Sequence, residues 1–311
     1  MDWNDEGLTT LRDYLRFGVS RFQEAGLHYG HGTDNALDEA VALVLPTLHL
    51  PQDLPPIYLD SHLTSAERAR VLALLQRRVE ERRPVPYLTR RAWFAGLEFK
   101  VDERVLIPRS PIAELIERQL APWVEPPAVT QLLDLCCGCG CIGIAAALHF
   151  PEAVVTLSDL SPEALAVAAL NIQHYGLEDR VRWVASDLFA GLEGAIYDVI
   201  LANPPYVDQA AMAALPEEYR HEPAFALAAG EDGLDLVLRI LRDAGRHLSP
   251  QGILIAEVGA SSTVLTECLP RVPFLWLDFE RGGDGVFLLT AEQIRACQGF
   301  FESAMVENGG E

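Results

Sequence analysis

Leu132-Leu133-Asp134-Leu135-Cys136-Cys137-Gly138-Cys139-Gly140-Cys141-Ile142-Gly143 decides how this chain of 311 residues is read. An apolar run with one carboxylate stops at a cluster of glycines, and a helical pattern follows. That is a strand, a tight loop and a helix N-terminus, the opening unit of an α/β sheet that binds a nucleotide or nucleoside. Two readings of the loop compete. Gly138, Gly140 and Gly143 satisfy GxGxxG, in which glycines let the backbone approach a pyrophosphate at the helix start. The rival is DxxxGxG, with Asp134 four positions before Gly138. There the backbone of Cys136, Cys137, Gly138, Cys139 and Gly140 bends around a nucleoside amino acid, and the Asp134 carboxylate lies close to the amino-acid moiety. S-adenosyl-L-methionine is such a ligand and has no phosphate to cradle.

The two strands that follow discriminate between the readings. Asp159 ends the second, nineteen residues beyond Gly140, where a carboxylate accepts hydrogen bonds from both ribose hydroxyls of either ligand. Asp187 ends the third, in Ser186-Asp187-Leu188-Phe189. From there its carboxylate or a neighbouring amide meets an adenine edge while Leu188 packs on the ring. Taken singly, each aspartate also suits a helix cap or a turn. Three carboxylates on successive strand ends favour a sulfonium cation over a diphosphate.

Further out, apolar runs at 131–135, 153–158, 181–184, 198–202, 252–258, 274–279 and 286–290 alternate with helical patterns. Seven strands with interleaved helices predict a doubly wound sheet. The last two runs are joined by Arg281-Gly282-Gly283-Asp284-Gly285, a tight turn, so they pair antiparallel. Ahead of the sheet, Leu8, Leu11, Leu15, Val19 and Phe22 mark one amphipathic helix, and Leu37, Val41, Val44 and Leu48 a second. A third starts at Thr64 with Glu67 completing a capping box, its buried stripe read as Leu72, Leu75 and Val79. Pro84-Val85-Pro86 cannot continue that helix. The chain therefore divides into a helical module over 1–83, a linker over 84–127 and the sheet domain over 128–311. Within the linker, Trp93 to Phe99 reads as a hairpin around Gly96, and Ser110-Pro111 opens a helix running to Leu120.

The fourth strand, Asp198 to Ala202, delivers Asn203-Pro204-Pro205-Tyr206 to the carboxyl edge of the sheet, where open α/β folds bind their ligands. Asn203 precedes proline and is held extended, the prolines offer carbonyls without competing amides, and Tyr206 presents a flat face. A planar group bearing NH2 fits that set: the Asn203 side-chain oxygen and the Pro204 carbonyl each accept one N–H. By itself the tetrapeptide also reads as a turn closing a strand.

Composition narrows the partners. Against 45 Asp and Glu stand 24 Lys and Arg, a formal charge of −21, which argues against binding duplex nucleic acid through its phosphates. Residues 131–311 hold 26 acidic and 9 basic groups, so the acidity sits on the sheet domain and suits a basic partner. The acidic opening, MDWNDEGLTT, does not resemble a secretory or mitochondrial signal, and no apolar run approaches the roughly 20 residues of a membrane span. A soluble cytoplasmic protein is expected, with its six cysteines reduced. Cys136 and Cys139 have CxxC spacing, but a structural zinc site wants a second pair, and Cys268 and Cys297 lie far off on helical patterns. No metal is expected.

DxxxGxG after strand one, an acidic end to strand two, Asn-Pro-Pro-Tyr after strand four and a closing antiparallel pair resemble the class I S-adenosylmethionine-dependent methyltransferases that act on planar amino groups. The leading helical module, Phe94-Ala95-Gly96 and Val105-Leu106-Ile107-Pro108-Arg109 are similar, more narrowly, to the protein N5-glutamine methyltransferases related to HemK. The resemblance covers nearly the whole chain. It implies a Rossmann-like, seven-stranded sheet with an antiparallel last strand, preceded by a small helical substrate-recognition domain. It implies catalysis by Asn203, Pro204, Pro205 and Tyr206, with Leu106 and Arg109 near the substrate glutamine. Of its two branches, Leu215 to Pro223 and Gly230-Glu231-Asp232-Gly233-Leu234-Asp235 are similar to the one that modifies large-subunit ribosomal protein L-three, the other modifying peptide-chain release factors. The free basic ribosomal protein, before assembly, is the implied partner. One departure stands in the loop, where the family carries Thr and Ser or Thr at the positions of Cys137 and Cys139, so hydroxyl contacts to the cofactor are weakened. Adenine methylation in nucleic acid uses the same tetrapeptide but is opposed by the charge. A nicotinamide dehydrogenase is opposed by the closing antiparallel pair.

Overall fold

A computed structural model describes residue 3 and residues 6–308, so residues 1, 2, 4 and 5 of the helical module and 309–311 of the sheet domain lie outside the described residues. Contacts divide the chain into two compact units. One comprises residues up to Ala92, Val101–Glu103 and Pro216–Glu222; the other comprises Trp93–Lys100, Arg104–Leu215 and the chain from Pro223 on.

The first unit is helical: α1 (Leu11–Glu24), α2 (Ala36–Thr47), α3 (Ser65–Glu80) and α4 (Val85–Thr89). The capping box expected at Thr64 forms: the Glu67 amide donates to Thr64 Oγ1 (3.3 Å) and the Thr64 amide to Glu67 Oε2 (2.8 Å). A second box, Thr10 with Asp13, starts α1. The buried faces differ from the expected stripes. In α3 Val71, Leu75 and Arg78 are buried, and in α2 Ala36, Ala40, Leu43 and Val44, while Leu37 is exposed. Both faces are rotated by about one residue because each packs small and polar groups that a purely apolar stripe leaves out. Gly18 on α1 shows the first kind, where an added Cβ would come within 2.9 Å of Leu75 Cδ2. Arg78 shows the second. It is fully buried, its Nε donates to Glu39 Oε1 (2.7 Å) and its Nη2 to the His28 carbonyl (3.1 Å). Glu218, also buried, accepts from the His28 amide (2.9 Å) and pairs with Arg82 (2.7 Å). α3 ends at Glu80, before the prolines at 84 and 86 as expected, and those prolines begin the separate short α4, since a proline in the first turn forfeits only an amide that has no partner there anyway.

The second unit opens with the turn between β1 (Arg91–Phe94) and β2 (Leu97–Lys100), where Ala95 and Gly96 both adopt positive φ. After α5 (Ile112–Glu117), shorter than the expected run to Leu120, comes β3 (Gln131–Leu135), α6 (Cys141–His149), β4 (Val154–Asp159), α7 (Pro162–Tyr175), β5 (Val181–Ala185) and β6 (Tyr197–Ala202). Then follow α8 (Gln209–Ala214), α9 (Asp235–Ala244), β7 (Leu248–Glu257), α10 (Ser262–Cys268), β8 (Leu275–Trp276), β9 (Val286–Thr290), α11 (Ala291–Ala296) and α12 (Gln298–Asn308). The sheet order is β5-β4-β3-β6-β7-β9-β8, parallel from β5 to β7, with β9 antiparallel to both its neighbours. This is the doubly wound sheet and antiparallel close expected from sequence. The strand read over 274–279 contracts to two residues at the sheet edge, where a short strand offers little unpaired backbone to another chain. Order reverses between β3 and β6, whose carboxyl ends therefore flank the crevice where such sheets bind ligands. Among the described residues no helix is long and apolar enough to cross a membrane.

Candidate active site

β3 ends in a backbone that only small or strained residues tolerate. Cys136 (φ 62°), Gly138 (φ 53°) and Gly140 (φ 80°) lie in the left-handed region, and the loop is pinned by the Cys137 amide donating to the Ser158 carbonyl (3.0 Å). Gly143 serves a different end: a Cβ there would come within 2.2 Å of Leu157 Cδ2 and 2.8 Å of Asp134 Cβ, so its absence lets α6 press against β3 and β4. The Gly143 amide donates to Asp134 Oδ2 (2.8 Å), and Asp134 Oδ1 is buried without a partner. Burial pushes the Asp134 carboxyl up to about 8. Buried Cys137, Cys139 and Cys141 are free thiols, and desolvation raises Cys136 and Cys137 above the usual range. A bond to Cys139 raises Cys141 first, and burial adds to it. These are small, inert packing groups, not nucleophiles.

A cleft of about 740 Å³, its open mouth included, lies along the carboxyl edge of the sheet. Its wall gathers Cys136 and Gly138 from the loop, Asp159 from β4, Asp187 and Leu188 after β5, Asn203 and Pro205 after β6, and Leu106. The sequence-picked residues thus converge from strands far apart in the chain. Asp159 is held by two amides, Gly138 to Oδ2 (2.8 Å) and Ser161 to Oδ1 (2.9 Å), which fixes the carboxylate at the rim; burial still raises it. The Asp187 carboxylate is engaged by Arg239 Nη2 (2.7 Å), so of the two groups expected at an adenine edge the neighbouring amide is the less encumbered. Leu188, at φ 49°, is buried beside it. Asp134 and Pro204 are buried and do not line the cleft, and the same holds for Cys137, Cys139 and Gly140 of the loop.

Tyr206 does not line the cleft either, and beside it sequence reasoning missed a residue. Its hydroxyl donates to Glu257 Oε1 (3.0 Å), and Ser110 Oγ donates to Glu257 Oε2 (2.5 Å). Glu257 is 4 % exposed, and burial raises its carboxyl to about 7 against the opposing pull of Ser110, Tyr206 and Arg109. The one signal was a lone acid ending the apolar run Ile253-Leu254-Ile255-Ala256-Glu257 beside the fourth strand: Ala256 pairs with Ala202, which sets Glu257 abreast of Asn203. Also unread from sequence were Phe225 and Leu160, both exposed at the mouth of the cleft. Arg109, whose Nη1 donates to the Ile107 carbonyl (3.4 Å), lies near enough to act electrostatically on both Tyr206 and Glu257.

Known proteins resemble this chain in sequence. Residues 118–218 match the methyltransferase small domain family. A ribosomal protein uL3 glutamine methyltransferase of Neisseria gonorrhoeae is 53% identical over 289 residues, spanning 92% of this chain and 96% of that protein. One of Xanthomonas campestris pv. campestris is 54% identical over 289 residues, spanning 93% and 94%. Among solved structures, a methyltransferase from Pyrococcus furiosus aligns over 63% of this chain and 89% of that one, with a TM-score of 0.46 and 18% identity.

Proposed function

The chain belongs to the family of ribosomal protein uL3 glutamine methyltransferases, and from that premise we propose that it moves a methyl group from S-adenosylmethionine to the side-chain amide nitrogen of a glutamine in ribosomal protein uL3. One observation carries the reading: Asn203 and Pro205 share a cleft wall with the glycine loop and the Asp159 carboxylate. On this reading, the holder of a planar NH2 group lies beside the holder of a nucleoside.

The residues suit this cofactor. The unpartnered, buried Asp134 Oδ1 is an acceptor suited to a cationic amino acid, whereas a diphosphate would hold Asp134 in its neutral form and meet repulsion at Asp159. Asp134 and the loop 136–140 would hold the amino-acid moiety, Asp159 the ribose, and Leu188 with its amide the adenine. When bound, S-adenosylmethionine supplies an electrophilic methyl group on a sulfonium.

The protein's own task is to make a poor nucleophile react. An amide nitrogen shares its lone pair with the carbonyl, so orientation must supply most of the rate. Asn203 Oδ1 and the Pro204 carbonyl would each accept one N–H of the glutamine, fixing the plane of the amide and leaving one face of its nitrogen free for the electrophile. As positive charge grows on nitrogen those two oxygens hold it more tightly than they held the ground state. No side chain needs to remove a proton before transfer, because the proton leaves from the charged product. The proposal is tested by incubating the enzyme with methyl-labelled cofactor and purified, free uL3: label in the protein supports it, and label that stays in the cofactor under conditions where cofactor binds sinks it.

Asp134 gives the cofactor assignment a pH signature. Its carboxyl is near 8 in the free protein and falls when a cation settles beside it, so the charged form is the binding form. The advantage of wild type over Asp134→Asn in S-adenosylmethionine affinity should therefore grow with pH between about 6 and 8 and level off above, reaching tenfold or more by calorimetry. The ratio cancels titration of the ligand's own amine. A ratio flat with pH would remove Asp134 from the cofactor's cationic end.

A further inference from the structure

Resting on the reading of residues 203–206 as the holder of the amide, we propose that Glu257 is a positioning residue that ties this tetrapeptide to the segment carrying Leu106 and Arg109. Its two carboxylate oxygens divide between the segments: Oε1 takes the Tyr206 hydroxyl and Oε2 the Ser110 hydroxyl. Both segments reach the cleft, one through Arg104, Val105 and Leu106 and the other through Asn203 and Pro205. Behind the cleft a single carboxylate joins them.

Packing alone would not place an acid here. Glu257 closes an apolar strand and is 4 % exposed, a position where an apolar side chain is the ordinary choice and an unbonded carboxylate would be strongly disfavoured. Each partner is independently ordered. Ser110 Oγ also accepts from the Ile112 amide (3.2 Å), which seats it at the start of α5. The Tyr206 carbonyl accepts from Ser261 Oγ (2.8 Å), with Gly233 so close that a Cβ there would lie 2.4 Å from that oxygen. The Tyr206 ring lies on Gly259, where a Cβ would come within 2.6 Å of Cε2. The backbone and one ring face of Tyr206 are thus fixed by the glycines and Ser261, and the hydroxyl bond to Glu257 is what fixes the ring's far end. Arg109 pulls the buried carboxyl down and Asp284 pushes it up, both beneath the larger effect of burial. Glu257 is not on the cleft wall, so it works through Tyr206 and Ser110 and not as a base on the substrate.

Three variants test the tie. Glu257→Gln keeps an acceptor for Tyr206 and gains a donor for Ser110; Glu257→Leu keeps neither; Tyr206→Phe deletes one bond and leaves the carboxylate. Glu257→Leu should lower kcat for uL3 methylation at least tenfold, with cofactor Kd within twofold, and Glu257→Gln should recover to within about threefold of wild type. Hydrogen exchange read by mass spectrometry should show peptides covering 104–112 and 203–210 opening together in Glu257→Leu and closing again in Glu257→Gln. Tyr206→Phe should open the second peptide only, and adding it to Glu257→Leu should cost no further activity. A folded Glu257→Leu with unchanged exchange in both peptides overturns the proposal, as does Glu257→Gln as impaired as Glu257→Leu. The exchange measurement needs no substrate, so a failure of wild type to methylate uL3 would defeat the proposed function and leave the tie to be judged separately.

Discussion

Replacing Asn203 with alanine should lower methyl transfer by about a thousandfold while leaving S-adenosylmethionine affinity within a few-fold of wild type. The magnitude is that of losing one preorganised hydrogen-bonding group at a reacting centre, about 10²–10³, compounded by a nitrogen no longer held in line. The selectivity follows from where Asn203 stands. It sits at the carboxyl end of β6, whereas the glycine loop, Asp159 and Leu188 belong to β3, β4 and the turn after β5, and none of these depends on the Asn203 side chain for its own hydrogen bonds. The backbone at 203 stays extended because Pro204 follows, so alanine changes the acceptor and not the path of the chain. Asn203→Asp is the informative neighbour: it keeps the oxygen but adds charge where the protein is already acidic, and should fall between wild type and alanine. Single-turnover rates with calorimetric cofactor affinities check both statements; an alanine variant within tenfold of wild type would remove Asn203 from the transition state.

Arg78→Leu should destabilise the helical unit by about 3–5 kcal/mol, the cost of leaving buried carboxylates without their cation. Arg78 is fully buried, and its loss leaves Glu39 without a cation, keeping the Thr33 hydroxyl as its hydrogen-bond donor among the described residues. Glu218 keeps Arg82 and the His28 amide, so it suffers less. Replacing both charges, Arg78→Leu with Glu39→Leu, should recover a large part of the loss, because a well-packed apolar pair avoids the desolvation that the ion pair must offset. Thermal melts with hydrogen exchange over 11–89 check this, the single variant lowering the midpoint by 10 °C or more on the scale of about 4–8 °C per kcal/mol for a unit this small. A single variant as stable as the double would mean that Glu39 finds water. Because Pro216–Glu222 belongs to the helical unit and Glu218 within it faces Arg78, the same variant should loosen that segment, which lies ten residues past Tyr206 in the chain.

These two residues also mark what could and could not be read from sequence. Asn203 was legible because proline on its C-terminal side and a strand on its N-terminal side restrict what it can do, and because the sheet's topology sends every such strand end to one edge. The placement of the glycine loop and Asp159 at the cleft was legible for the same reason, being set by neighbours within about twenty positions. Arg78 was not, since an arginine on an amphipathic helix normally faces water, and its partners Glu39 and His28 come from elsewhere in the unit. Glu257 hid in the same way: its meaning depends on Ser110 and Tyr206, 147 and 51 residues away. The shifted faces of α2 and α3 share that cause, because an apolar stripe finds leucine and valine but not the glycine at 18 or the buried ion pair that decides which side turns inward. Asp187 shows a subtler limit: its place at the end of β5 was readable, while its capture by Arg239 from α9 was not.

The most direct test places purified, free uL3 and a peptide-chain release factor in one reaction with the enzyme and S-adenosylmethionine, then maps modified peptides by mass spectrometry. The expected result is a single uL3 glutamine heavier by one methyl group on its side-chain nitrogen, the release factor unmodified, and no product with Asn203→Ala. A methylated release factor with untouched uL3, or a methyl found on any residue other than glutamine, would contradict the account.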